Sequence, residues 1–468
     1  MHGPAPQNRT LTMTTASHES AELIDRRAPP DFREAVGRPH IEGGAARPHM
    51  EAGAGRRARR PRVLIVTPQP FYEDRGTPIA VRYVASALGA LNVDVHLLAF
   101  PVGRDVGMRN VTVHRCANAL HIKEVPIGFS MRKLALDAGL WRSFSQLLAA
   151  GRFDVVHAVE EAAYMAAALC PRLGQRFIYD MASAIPIELV RNSTLKSALL
   201  RTPLEVVQRR VMHSASHIIC SAGLRQYVRT QAANVPVNEW QYPALSAVVS
   251  PRDLISLRRK LRIREGQKML LYMGSFAGYQ GLDLLLDAFA KVSRTNPEMV
   301  LVCVGATDPD QARLSAMASD HASLQNVRIV PRQPRAQMPL YTELADVLLL
   351  PRVGCQNVPL KLYEYMASGK PIVATRQSGA NHLLNDQRGF LCDPTADSMA
   401  DAIRRACSHP AEAARVASQA MHYAETHFGW ASFVEFIRHI YLDVMAPGEA
   451  STELRRAQIC ALSPGQLM

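Results

Sequence analysis

Residues 355–375 read CQNVPLKLYEYMASGKPIVAT. Pro359 suits the first position of a helix, which places Lys361 in its first turn and Glu364 three residues on, along the same face. Gly369 stops the helix before Lys370-Pro371, and PIVAT then reads as a short buried strand. A lysine in a first turn is opposed by the helix macrodipole, at about 0.3–1 kcal/mol. An anion reverses the sign, because free N–H groups and an ammonium then act on it together. A Lys–Glu pair on a solvated helix edge, worth about 0.2–0.5 kcal/mol, fits the same spacing. The pair alone leaves both readings open.

Helix followed by buried strand recurs on either side. Upstream, KMLLYMGS (268–275) is a strand and GLDLLLDAFAKVS (281–293) a helix. MVLVCVG (299–305), VRIVPR (327–332), DVLLLPR (346–352), PIVATR (371–376) and GFLCD (389–393) continue the strand series, with helices between. A first series precedes it. PRVLIVTPQP (61–70) holds a strand, and GTPIAVRYVASALGAL (76–91) is a helix with Thr77 suited to the N-cap and Pro78 to the first position. DVHLLAF (94–100), VTVHR (111–115), DVVHA (154–158), RFIYDMAS (176–183) and HIICSA (217–222) follow as strands, with helical stretches at 130–151 and 188–215. Alternation of this kind predicts parallel, doubly wound sheets.

Periodicity lapses around NEWQYPALSAVVSPRD (238–253). The organisation expected is therefore a tail over 1–60, an N-terminal domain over 61–243, a linker over 244–256 and a C-terminal domain over 257–430. A last helix over 431–445 is expected to pack back on the N-terminal domain, ahead of a tail over 446–468. Two such sheets facing each other put a ligand in the cleft between them, at the carboxyl ends of their strands.

At 468 residues and 48% hydrophobic, the chain is long enough for two cores. No apolar run approaches the about 20 residues of a membrane-spanning helix. MHGPAPQNRTLTMTTASHES lacks the charged and apolar regions of a secretory signal, so the sequence reads as cytoplasmic. The eight cysteines are scattered without C-x-x-C or metal-like spacing, and no metal site is expected. The net charge of +13 gathers partly in RRARRPR (56–62), at the end of a Gly/Ala/Pro-rich tail. That run fits a solvated linker or an anionic membrane surface at the inner face of the cell membrane. With no interleaved aromatics and no recognition module, nucleic acid is not an expected partner. G-x-G-x-x-G after the first strand and G-x-x-x-x-G-K-[ST] are both absent, which argues against dinucleotide dehydrogenases and P-loop enzymes.

In this order, LYMGSFAGYQGLDLLLDAF (271–289), LADVLLLPR (344–352) and PLKLYEYMASGKPIVAT (359–375) resemble the C-terminal half of GT-B glycosyltransferases of the large family 4 type. The N-terminal half of that family resembles RVLIVTPQPFYEDRGTPIAVRYVASALGAL, FDVVHAVEEAAYMAAAL (153–169) and RFIYDMASAIP (176–186). The resemblance spans about residues 61–445. It implies a GT-B-like α/β fold, two doubly wound parallel-sheet domains facing across a cleft. It also implies retaining, metal-independent transfer from a nucleotide-sugar donor, with no cofactor beyond that substrate. A saccharide or glycolipid acceptor at the cell surface is implied with it. The alternatives in the same fold are a nucleotide-sugar epimerase, a phosphorylase and a non-catalytic nucleotide-sugar-binding subunit.

Carried over by residue, the family's ribose-binding glutamate matches Glu364, and its earlier acidic position is Gln356 here. Cations that many members place on the loop after the first C-domain strand fall at Ser275 or Phe276 and at Gln280. Lys361 is therefore the expected diphosphate ligand, helped by backbone near Gly274 and Ser378–Gly379–Ala380. GCQNVPLK (354–361) resembles a subgroup with an N-x-P-x-K run, which brings in Asn357. Gly76, on the loop after the first strand, fits a close backbone approach to the sugar phosphate or a plain turn before a helix. A histidine common in the family is Ala182 here. The remaining polar candidates for catalysis are His157, Glu160 and Glu161 in VVHAVEEAAY, and Asp180.

Overall fold

Among the described residues, thirteen parallel strands fall into two sheets, each carrying apolar residues on both faces because helices cover both. The computed structural model describes residues 59–125, 130–184, 186, 196–313, 324–354, 357–376 and 383–458, with the side chains of 196–201 and 449 left aside. In the N-terminal lobe the strands are β1 (Arg62–Thr67), β2 (Asp94–Ala99), β3 (Val111–Arg115), β4 (Val155–Val159), β5 (Phe177–Met181), β6 (His217–Cys220) and β7 (Val237–Glu239). Their order is β3-β2-β1-β4-β5-β6-β7. In the C-terminal lobe β8 (Lys268–Met273), β9 (Met299–Ala306), β10 (Val327–Pro331), β11 (Val347–Leu350), β12 (Ile372–Thr375) and β13 (Phe390–Cys392) run in the order β10-β9-β8-β11-β12-β13. Both orders reverse beside their first strand, between β1 and β4 and between β8 and β11. Those switch points are where such sheets open a crevice for ligands.

Seven helices matter for the site: α1 (Gly76–Ala90), α2 (Met131–Ala150), α3 (Ala162–Leu169), α4 (Leu282–Ser293), α5 (Met338–Leu344), α6 (Leu360–Ala367) and α7 (Trp430–Val444). α1 begins two residues earlier than its capping residues predict: Arg75 is the extended N-cap, so Thr77 is already helical. Pro78 still falls in the first turn, where its missing N–H costs nothing. α6 begins one residue later than predicted, with Pro359 as an extended N-cap and Lys361 as the second helical residue. Gly369 closes α6 with a φ of +67°, a conformation that only glycine adopts cheaply.

The stretch expected to be irregular holds β7 and a helix over Pro251–Lys260, and the expected tail holds a helix over Glu449–Arg456. α7 buries Phe433, Val434, Ile437, Ile440, Tyr441 and Val444 in the same core as Val63 and Ile65 of β1 and Tyr83 and Val84 of α1. At about 1.5–3 kcal/mol for each buried apolar side chain, that contact is a gross stabilisation on the order of 10 kcal/mol. The end of the C-terminal lobe thus completes the N-terminal one. Cys116, Cys170, Cys220, Cys303, Cys392 and Cys407 are all buried. Among the described residues no helix is long and apolar enough to cross a membrane.

Candidate active site

β8 ends at Met273, and the chain turns at Gly274 with a φ of +152°. Gly305, at the end of β9, also has positive φ, and a Cβ there would lie 2.2 Å from the Gly274 carbonyl oxygen. Two glycines side by side let the backbone of adjacent strand ends crowd together. Lys361 reaches into this corner from the first turn of α6. Its Nζ donates to the Met273 carbonyl at 2.6 Å and to Gln280 Oε1 at 3.3 Å, and stands 4.7 Å from the centre of the Tyr272 ring. The Tyr272 hydroxyl in turn donates to the Ser275 carbonyl at 2.6 Å, fixing the exposed loop residue that follows. Lys361, Gly274, Ser275 and Gln280 are therefore gathered at one point.

Asn357 lies just ahead of α6 and receives both ends of a buried guanidinium. Arg352 Nη1 donates to its carbonyl and Nη2 to its Oδ1, each at 2.8 Å. Gln356 and Gly379 lie outside the described residues. Across the cleft Gly76 opens α1, and open space surrounds the position its Cβ would take. Its φ is outside the left-handed region, so the turn itself does not demand glycine there.

Glu364 sits one turn beyond Lys361, with its side chain 19% exposed, and pairs with Arg335 on the loop after β10. Nothing in PRQPRAQ (331–337) marks that arginine as special in sequence. Its partners do so in the fold. Arg335 Nη2 donates to Glu364 and also to the Tyr83 hydroxyl of α1, in the other lobe. The Arg335 backbone N–H donates to Asp74 Oδ2 at 3.3 Å, and Arg332 Nη2 donates to the Asp74 carbonyl at 2.6 Å.

The N-terminal wall is acidic. Glu160 follows β4 at the switch point with a φ of +50°, and its Oε2 accepts from Ser183 Oγ at 3.1 Å. Burial, then the neighbouring Glu161 and Asp180 carboxylates, push the Glu160 carboxyl up to about 8, against the opposing pull of Ser183. Glu161 forms an ion pair with Lys133 of α2 at 2.5 Å. Asp137, one turn further along α2, is pushed up to about 6 by burial, which the nearby Lys133 partly offsets and Glu161 reinforces. Glu161 and Asp137 thus share one ammonium, and Glu160 has none among the described residues.

His157 and Asp180 lie in the interior behind this wall, with the Asp180 carboxylate near enough to raise Glu160. His157 is in the middle of β4, 1% exposed, and Asp180 is 4% exposed. The Tyr441 hydroxyl of α7 is 2.8 Å from His157 Nδ1, His157 Nε2 is 3.4 Å from Asp180 Oδ2, and Trp240 Nε1 donates to Asp180 Oδ1 at 2.6 Å. The four form a buried chain that joins the sheet to α7 and to the segment after β7. Neither side chain has surface to offer a substrate. Among the described residues no group of three or more His, Cys, Asp or Glu is placed to hold a metal ion.

The profile of the family described as Glycosyl transferases group 1 matches residues 255–422, the lobe that carries Gly274, Lys361 and Glu364. A phosphatidyl-myo-inositol mannosyltransferase of Mycobacterium leprae is 26% identical over 353 residues, 73% of this chain and 86% of that protein. D-inositol 3-phosphate glycosyltransferases of Corynebacterium aurimucosum and Acidothermus cellulolyticus are 26% and 28% identical, over 43% and 45% of this chain. Those two matches span about half the length of each relative, 49%. In structure, sucrose-phosphate synthase from Thermosynechococcus elongatus superposes with a TM-score of 0.67 at 18% identity, over 82% of this chain and 98% of that one. Anabaena HepE, solved in complex with UDP-glucose, superposes at 0.63 with 17% identity, over 81% and 98%. At such identities the structural likeness establishes the fold alone. The chain has the GT-B fold, and its residues 255–422 are a glycosyl transferases group 1 domain.

Proposed function

We propose that this protein is a retaining glycosyltransferase that moves a sugar from a nucleoside diphosphate sugar to a hydroxyl of a lipid-linked or cell-surface saccharide. The observation that carries this reading is the pairing of Lys361 and Glu364 on one face of α6, with the lysine ammonium over the Gly274 turn. A carboxylate suits the two hydroxyls of a ribose, and an ammonium at a helix N-terminus suits a diphosphate. HepE, which shares the fold, is solved with UDP-glucose.

In this reading the acceptor oxygen bonds to the anomeric carbon on the face from which the diphosphate departs. The bond from that carbon to the phosphate oxygen breaks, its electron pair leaves with the diphosphate, and the acceptor's proton passes to the departing phosphate oxygen. Lys361 and the N–H groups opening α6 meet the developing charge, without a metal ion. Gly76 leaves room for the sugar phosphate at the start of α1. Glu160, which holds its proton at neutral pH, serves the acceptor as a hydrogen-bond donor rather than as a base.

A membrane surface is the station we assign to such an acceptor. α2 exposes Met131, Leu134 and Trp141 beside Arg132 and Arg142, while its one carboxylate, Asp137, is mostly buried. Apolar side chains with cations and no exposed acid suit anionic lipid.

Product analysis with UDP- and GDP-sugars, with and without a glycolipid extract as acceptor, tests the reading. Transfer that disappears in Glu364→Ala supports it. A sugar converted without acceptor indicates an epimerase, and donor binding without any turnover indicates a binding subunit. Either of those outcomes removes the transferase.

A further inference from the structure

Arg335 is the residue through which the two lobes meet at the proposed ribose carboxylate. Its side chain is 11% exposed, and one nitrogen, Nη2, serves both Glu364 of the C-terminal lobe and Tyr83 of the N-terminal lobe. The guanidinium carbon lies 5.8 Å from the centre of the Tyr83 ring, so the cation also faces its π-surface. The backbone of the same residue holds Asp74, whose carboxylate receives Arg104 as well at 3.2 Å. Asp74 is two residues before Gly76, on the loop that opens α1. One short segment, Arg332–Arg335, thus grips both the entry loop and the body of α1.

A second observation points toward a ligand. Arg335 Nε is buried and has no acceptor among the described residues. A buried donor left without an acceptor is costly, and an oxygen brought into the cleft beside Glu364 removes that cost.

We propose that Arg335 is a positioning residue for the donor. It fixes the carboxylate of Glu364 and ties it to Tyr83 and Asp74, so that capture of the ribose and setting of the N-terminal lobe are one event. The proposal rests on the reading of Glu364 as the ribose ligand. In physical terms, a guanidinium offers fixed, planar donors that can serve two acceptors at once, which a lysine ammonium on a flexible stem does poorly. With Glu364 so held, a diol finds its acceptor already oriented, and less ordering remains when the donor binds.

The test uses the full chain and a panel of UDP- and GDP-sugars. Affinity is measured by calorimetry, and lobe closure as the change in radius of gyration on adding the sugar nucleotide that binds. Arg335→Gln is expected to weaken binding at least about tenfold and to abolish the contraction, raising KM and lowering kcat together. Arg335→Lys, which keeps the charge and is the fallback if the glutamine variant does not fold, is expected to bind with an intermediate loss and contract only in part. Tyr83→Phe combined with Arg335→Gln should cost no more than Arg335→Gln alone. If Glu364→Gln loses binding while both Arg335 variants bind and contract like the wild type, the positioning role is overturned and the donor site stands. If Glu364→Gln also binds like the wild type, the donor-site reading falls and takes the proposal with it. A melting temperature lowered in the Arg335 variants, with binding and contraction unchanged, reduces the residue to a structural strap.

Discussion

The ammonium of Lys361 lies 2.7 Å from the point at which a Cβ on Gly274 would sit. Backbone and cation crowd each other there because β8 ends at the place where α6 begins. A methyl group at 274 must displace Nζ, and φ of +152° is strained for any L side chain. Gly274→Ala is therefore expected to weaken binding of the nucleotide sugar at least about tenfold, while far-ultraviolet dichroism stays that of the wild type. Calorimetry on the two proteins side by side decides this, and equal affinity would remove Lys361 and its glycine from the donor site.

Lys361→Ala separates binding from folding. The half-buried side chain donates to the carbonyl of buried Met273 and to the amide oxygen of buried Gln280, so its loss should cost the fold about 1–3 kcal/mol. Loss of an ammonium facing a diphosphate should cost affinity about tenfold or more. Thermal unfolding with and without ligand reads both quantities. Proportionate loss of the two contradicts the assignment.

Glu160 gives the stability a slope with pH. Its carboxyl is raised from the ordinary 4.5 to about 8 in the folded chain, so between those values the folded state holds a proton that the unfolded state has lost. Stability from this group is full below about pH 4.5, falls as pH rises and is gone above about 8. Glu160→Gln carries no such titration. Measured at pH 5 and pH 8.5, the melting temperature of the variant should rise relative to wild type as the pH goes up. A constant difference between the two proteins would show that Glu160 ionises normally.

The Tyr441–His157–Asp180–Trp240 chain should matter for stability and leave donor binding alone. Trp240→Phe strips Asp180 Oδ1 of its 2.6 Å donor and should cost about 1–3 kcal/mol. The affinity for the nucleotide sugar is expected to stay within twofold. A stable variant that no longer turns over would instead restore His157 and Asp180 as catalytic candidates.

Residues whose partners are near in sequence were readable before the fold was known. The strands announce themselves as apolar runs such as KMLLYM, and Lys361 and Glu364 share a helix face by spacing alone. Arg335 was not readable, because its meaning depends on Tyr83, 252 positions away inside an apolar helix. His157 and Asp180 looked like polar groups at strand ends. Tyr441, 284 positions from His157, is what makes them interior. The short shifts at the starts of α1 and α6 have a local cause: an extended residue ahead of each helix, Arg75 or Pro359, caps it through the backbone without a side-chain bond, and sequence carries little signal for that.

The most direct measurement is calorimetric titration of wild type and Glu364→Gln with UDP-glucose, GDP-mannose and related nucleoside diphosphate sugars. The donor-site assignment predicts that wild type binds at least one of them and that the variant, folded as judged by far-ultraviolet dichroism though less stable for the loss of its Arg335 pair, binds the same compound at least about tenfold more weakly. Equal binding by the two proteins, or no binding across the panel, would contradict it.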